Sequence, residues 1–120
     1  MSGAAILLVG HGSRDPGWSA PLERLAEAVK ARSNGTVVRL AYLEFMHPDI
    51  PAMLEALYRE GTRRVRVVPV FLGAGAHVRR DISERLEAAR ILHPDLGVTL
   101  EPVVGEQPRV IEALALAIAL

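Results

Sequence analysis

Four times along this chain an apolar, β-rich run gives way to a turn and then to apolar residues at helical spacing, and that alternation admits few folds. Repeated strand-then-helix units bury their apolar faces most simply as βα units around a parallel sheet. The first run covers residues 5–9. After the loop at 10–18, Ser19 is placed to cap a helix that carries Leu22, Leu25, Ala26 and Val29 on one face and ends at Asn34-Gly35. A second strand is expected over 36–43. Its helix starts after His47-Pro48-Asp49, with Asp49 as N-cap and Pro51 in the first turn. Met53, Leu54, Leu57 and Tyr58 form the buried stripe, and Gly61 ends it.

The third strand is expected over 65–72, although Pro69 within it gives up a ladder hydrogen bond. The segment Gly73-Ala74-Gly75-Ala76 then leads into a helix over 78–92, with Ile82, Leu86, Ala89 and Leu92 or Ile91 turned inward, stopped by His93-Pro94. A last strand over 98–102 precedes a helix opened by Pro108. Val110, Ile111, Leu114, Leu116, Ile118 and Leu120 make that helix apolar over most of its circumference, so a partner subunit is expected to cover it. The fold expected is therefore α/β: one domain over 1–120, a four-stranded parallel sheet flanked by helices, of the flavodoxin-like kind.

Composition narrows the function classes. Half of the residues are apolar but only 4% are aromatic, so the core is built from Leu, Val, Ile and Ala. Fourteen basic and fourteen acidic side chains cancel, leaving no field to attract nucleic acid or an anionic membrane; neither partner is expected. With no cysteine, thiolate zinc sites and cysteine nucleophiles are excluded, and histidine and carboxylate remain as the strong metal ligands. The run at 4–9 lacks the basic flank of a signal peptide, and nothing approaches the ~20 apolar residues of a membrane span, so a cytoplasmic protein is expected.

In an open α/β sheet, ligands bind beyond the carboxyl ends of the strands. His11 follows the first run, Glu44 the second and His77 the third. Two imidazoles and a carboxylate there suit Co2+, Ni2+, Fe2+ or Zn2+ with coordination positions left open. The same residues also admit a plain structural account, in which His11 caps a turn, His77 caps the third helix and Glu44 is a solvated acid. Neither Gly10-His11-Gly12 nor Gly73-Ala74-Gly75 continues into a dinucleotide or P-loop motif. His47 and His93 each precede a proline and read as segment boundaries. Arg14, Arg79 and Arg80 offer forked donors to an acidic substrate.

Three stretches taken together carry a resemblance: Leu-Leu-Val-Gly-His-Gly-Ser-Arg near the N-terminus, Ala-Tyr-Leu-Glu before the second helix, and Val-Pro-Val-Phe-Leu-Gly-Ala-Gly-Ala-His-Val-Arg-Arg-Asp-Ile in the middle. In this order they resemble the short-form sirohydrochlorin chelatases, small members of the ferrochelatase-like, class II chelatase superfamily. The resemblance runs from Ile6 to the C-terminal helix. It implies a flavodoxin-like chelatase half-domain, and a homodimer that mimics the two fused halves of longer chelatases. The reaction it implies is insertion of a divalent metal into sirohydrochlorin with release of the ring protons. Co2+ is expected foremost, with Ni2+ or Fe2+ as alternatives, serving cobalamin, sirohaem or nickel-tetrapyrrole biosynthesis; the metal is a substrate and no cofactor is permanently bound.

Carried onto this sequence, the resemblance makes His11 and His77 the motif histidines and Glu44 the motif acid, all three at the metal and in catalysis. Ser13, Arg14, Gly73, Ala74, Gly75 and Ala76 are the elements expected to bind the tetrapyrrole. A non-catalytic metal or tetrapyrrole carrier would use the same ligands. A phosphohistidine-type phosphatase fits less well, because Gly10 stands where such enzymes place an arginine before the nucleophilic histidine.

Overall fold

The strand Ala4–Gly10 (β1) carries no charged residue, and its positions 5 to 10 are all buried, which suits only the centre of a sheet. In the computed structural model, which describes residues 3–120, β1 lies between Val37–Tyr42 (β2) and Arg64–Pro69 (β3), with Gly97–Leu100 (β4) outside β3. Residues 1 and 2 of the expected domain lie outside the described residues. All three pairings are parallel, giving the order β2-β1-β3-β4 of a flavodoxin-like sheet. The helices are Ala20–Ala31 (α1), Ile50–Arg59 (α2), Ala76–Leu92 (α3) and Pro108–Ala119 (α4), with short 3-10 turns at Pro16–Ser19 and Val104–Glu106.

Alternation along β1 divides the core between two faces. Ala5, Leu7 and Val9 pack against Ile50, Leu54 and Leu57 of α2 and Ile82 and Leu86 of α3. Ile6 and Leu8, with Val68, meet Ala26 and Val29 of α1 on the other face. The second face is thinner: α1 buries no residue fully, and Leu25 remains exposed. The last helix packs chiefly on the Val104–Glu106 turn and exposes Ile111, Leu116, Ile118 and Leu120.

Several boundaries differ from the sequence reading for identifiable reasons. Ser19 precedes α1 but does not cap it; its hydroxyl donates to Glu23 at 3.0 Å, and Asp15 caps the preceding 3-10 turn by accepting from the Gly17 N–H. The strand β3 stops at Pro69 rather than 72. One more ladder bond follows, from the Val70 N–H to the Val9 carbonyl, after which Phe71 accepts from Gly105 instead of from a strand. The end of β4 at Leu100 has a similar origin, since the Glu101 N–H still reaches the Val67 carbonyl but Pro102 has no N–H to donate. Ile91 and Leu92 are exposed, so the buried stripe of α3 ends at Ala89. That helix also starts two residues earlier than expected, with Gly75 as its N-cap, which puts His77 inside its first turn.

Tyr58 of α2 is held between the Arg63 guanidinium and the His93 ring and donates to Asp95 at 2.8 Å. That hydrogen bond keeps the Asp95 carboxyl below its usual range, and His93 at 2.7 Å does the same for Glu55. His93 thus fastens α3 to α2. Leu86 is fully buried between α3 and the sheet. Replacing it by Ala is expected to cost about 2–5 kcal/mol of stability, read as a lowered midpoint in urea denaturation with an unchanged slope.

Candidate functional site

The sheet changes winding direction between β1 and β3: the connection that leaves β1 carries α1 over one face, those that leave β2 and β3 carry α2 and α3 over the other, and the crevice opens at the carboxyl ends of these strands. Backbone pairing does not stop with the strands. The Leu43 N–H donates to the Gly10 carbonyl and the Glu44 N–H to the His11 carbonyl, both at 3.1 Å, so the segments after β1 and β2 continue side by side. Such close approach needs a residue without a side chain at Gly12, where a Cβ would overlap the Glu44 carbonyl oxygen, and Gly12 has φ of 97°. Phe45 then turns the second segment away with φ of 67°, a conformation costly for a large side chain, under the guanidinium of Arg14 at 4.5 Å.

The result is an open cleft of about 340 Å³ lined by His11, Leu43, Glu44, His77, Val78, Asp81 and Arg85. His11 Nδ1 lies 3.8 Å from Glu44 Oε2, and both side chains are half exposed. The His11 and Phe71 rings meet in a T-shaped arrangement with centroids 6.4 Å apart. His77, in the first turn of α3, is exposed on the opposite wall. Among the described residues no three histidine or acidic side chains already stand close enough to grip one ion, so closure on a metal requires rotation of these exposed side chains. Two imidazoles and a carboxylate facing a solvent-open cleft can hold a divalent transition metal or accept protons, though a given nitrogen cannot do both at once.

His11, Glu44 and His77 are therefore brought to one cleft. Ser13 and Arg14 lie next to it and already have partners, the Ser13 hydroxyl accepting from the Asp15 N–H and Arg14 covering Phe45. Gly73, Ala74, Gly75 and Ala76 lead into α3 beside the cleft without lining it, and Arg79 donates to the Ala74 carbonyl. His47, before the cis bond to Pro48, is exposed and does not line the cleft. Asp81 and Arg85 were not anticipated. Their signal is the spacing 77, 81, 85, which sets three polar side chains on one stripe of α3. Beneath the loop, burial pushes the Tyr42 phenol up, and a neighbouring Glu23 acts in the same direction.

A family model described as CbiX matches residues 5–119. A sirohydrochlorin cobaltochelatase from Methanocaldococcus jannaschii is 44% identical over 82 residues, 68% of this chain and 57% of that protein. The match spans a little over half the length of this and similar cobaltochelatases, and 42% of a sirohydrochlorin ferrochelatase from Bacillus subtilis, to which the chain is 30% identical. Among solved structures, a CbiX protein from Marinobacter aquaeolei VT8 superposes with a TM-score of 0.83 at 28% identity, covering 97% of this chain and 94% of its own. The sirohydrochlorin chelatase SirB from Bacillus subtilis subspecies spizizenii, solved in complex with cobalt, gives 0.85 at 29% identity, covering 99% of this chain but 50% of its own.

Gly12→Ala places a methyl group against the Glu44 carbonyl at a backbone angle that L-residues avoid, and should lower stability by more than about 1 kcal/mol. Gly73→Ala has open space around it and serves as the control. Thermal denaturation of the two variants should show a large drop for the first only.

Proposed function

The chain belongs to the CbiX family, and from that membership we propose that it inserts a divalent metal, Co2+ foremost, into sirohydrochlorin. The observation that supports this most is the shared cleft: His11, Glu44 and His77, each following one of three adjacent strands, line the same open volume. The relatives' names, sirohydrochlorin cobaltochelatase and sirohydrochlorin ferrochelatase, supply the substrate and the two metals. Ni2+ is a third candidate, since imidazole and carboxylate rank these ions by general affinity rather than by recognition.

Insertion exchanges the two protons of the ring N–H groups for one dication. In this reading His11 and His77 first hold the ion, with Glu44 completing the set. As the ring nitrogens take over the metal, a freed imidazole accepts one proton and Glu44 the other, and both are lost to solvent. Neutral imidazole suits the task because its ordinary pKa lies near working pH. The ligands are exposed, so the macrocycle can approach the ion directly. Ser13, Arg14 and the Gly73, Ala74, Gly75 and Ala76 segment border the cleft where peripheral carboxylates of the substrate would lie, and their donors suit that charge.

A tetrapyrrole with its side chains is larger than a cleft of about 340 Å³, so this chain covers only part of it. We assign the remainder to a second copy. The SirB chain is twice the length that this chain covers, and α4 offers an uncovered apolar face with Ile111 53% and Ile118 81% exposed. A homodimer would supply both the second half of the cleft and the cover for α4. Among the described residues no helix is long and apolar enough to cross a membrane, and the reading places the reaction in the cytoplasm, as part of cobalamin biosynthesis.

Catalytic amounts of protein mixed anaerobically with sirohydrochlorin and Co2+ should give many turnovers by visible absorption, whereas a stoichiometric spectral shift alone would identify a carrier. His77→Ala should abolish the enzyme-dependent rate while leaving the circular dichroism spectrum unchanged. In sedimentation velocity the wild type should run as a dimer, and the double variant Ile111→Glu, Ile118→Glu as a monomer.

A further inference from the structure

The cleft contains a fourth potential metal ligand that the proposed reaction does not use. Successive turns of α3 deliver His77, Asp81 and Arg85 to the same wall, and all three line the cleft that holds His11 and Glu44. A histidine and an aspartate one helical turn apart are well placed to grip a single ion. Asp81 is nevertheless engaged elsewhere: its Oδ1 accepts from Arg85 Nε at 3.1 Å. Arg85 is itself held at its other end, where Nη1 donates at 3.2 Å to the carbonyl of Leu43, the residue before Glu44. Its side chain is only 28% exposed, and it also borders a small apolar pocket between α2 and α3 with Pro51, Leu54 and Ala88. This is a guanidinium fixed from two directions, unlike a free surface arginine.

We infer that Arg85 is a positioning residue that withholds Asp81 from the ion held by His11, Glu44 and His77, so that the metal remains transferable. The inference rests on the function proposed above. Two imidazoles and one carboxylate leave coordination positions open for ring nitrogens. A second carboxylate would add both a donor and a negative charge beside the dication, tightening its hold and slowing its release. The bond to Leu43 keeps the guanidinium from swinging away with Asp81, because it anchors Arg85 to the same segment that carries Glu44.

Calorimetric titration with Co2+ alone, without tetrapyrrole, tests this. Arg85→Met keeps the apolar stem and removes the guanidinium; it should bind Co2+ at least about tenfold more tightly than wild type and turn over more slowly. Adding Asp81→Asn to that variant should return the affinity to within about twofold of wild type, the coupling expected if the gain comes from the released carboxylate. Unchanged or weaker Co2+ binding by Arg85→Met overturns the inference. Should that variant fail to fold, Asp81→Asn alone decides: a change within about twofold supports a withheld carboxylate, and a tenfold loss shows that Asp81 is already a ligand and overturns it. Wild-type Co2+ binding that is absent or indifferent to His77→Ala would remove the functional reading and this inference together. Binding that His77→Ala abolishes but Arg85→Met does not tighten would remove the inference alone.

Discussion

Everything at the candidate site depends on the continuation of β1–β2 pairing beyond the strand ends. Two backbone hydrogen bonds, from Leu43 to Gly10 and from Glu44 to His11, hold the loops after these strands at sheet spacing. They fix the Cα positions of His11 and Glu44 while leaving both side chains in solvent. Gly12 permits the approach, and Arg85 adds a third tie by reaching the Leu43 carbonyl from α3. His77 is positioned independently, by where α3 begins. A site assembled this way has a rigid backbone and adjustable side chains.

The fold was legible because its signal is repeated. Each strand needs an apolar run and each helix an apolar stripe, and agreement among four such units leaves the parallel α/β sheet as the simple solution. The discrepancies arise where a local rule competes with tertiary context. Pro69 occupies the last position at which β3 can still pair with β1, so apolar Val70, Phe71 and Leu72 lead out of the sheet although their composition is strand-like. Ile91 and Leu92 sit exposed in the last turn of α3 although the next residue, His93, still meets Glu55 and Tyr58 of α2, and apolar composition does not reveal which residue of a last turn makes the contact.

The site was legible to the extent that strand ends predict crevices. His11, Glu44 and His77 each follow an apolar run, and the topology alone brings them together. Asp81 and Arg85 escaped because helical periodicity was read for the buried face. On that face α3 offers Ile82, Leu86 and Ala89; the polar stripe at 77, 81 and 85 lies beside it and looks like ordinary solvated charge. Only its starting residue, His77, ties that stripe to a crevice. Ser13 has a second role beside its O–H donor, since its hydroxyl oxygen shapes the loop by accepting from the Asp15 N–H.

A metal centre meant to keep its ion is closed, with each imidazole oriented by a hydrogen bond from its second nitrogen. His11 and His77 are exposed, and among the described residues the one carboxylate paired with either ring is Glu44, 3.8 Å from His11 and lining the cleft where it would meet the same ion. Rings without such orientation hold a dication less tightly and can turn with it, a drawback for a resident cofactor and an advantage for an ion in passage. The same reasoning underlies the role proposed for Arg85, which bonds Asp81 and the Leu43 carbonyl. In a transfer site, what keeps an additional carboxylate off the metal matters as much as what puts the ligands on it.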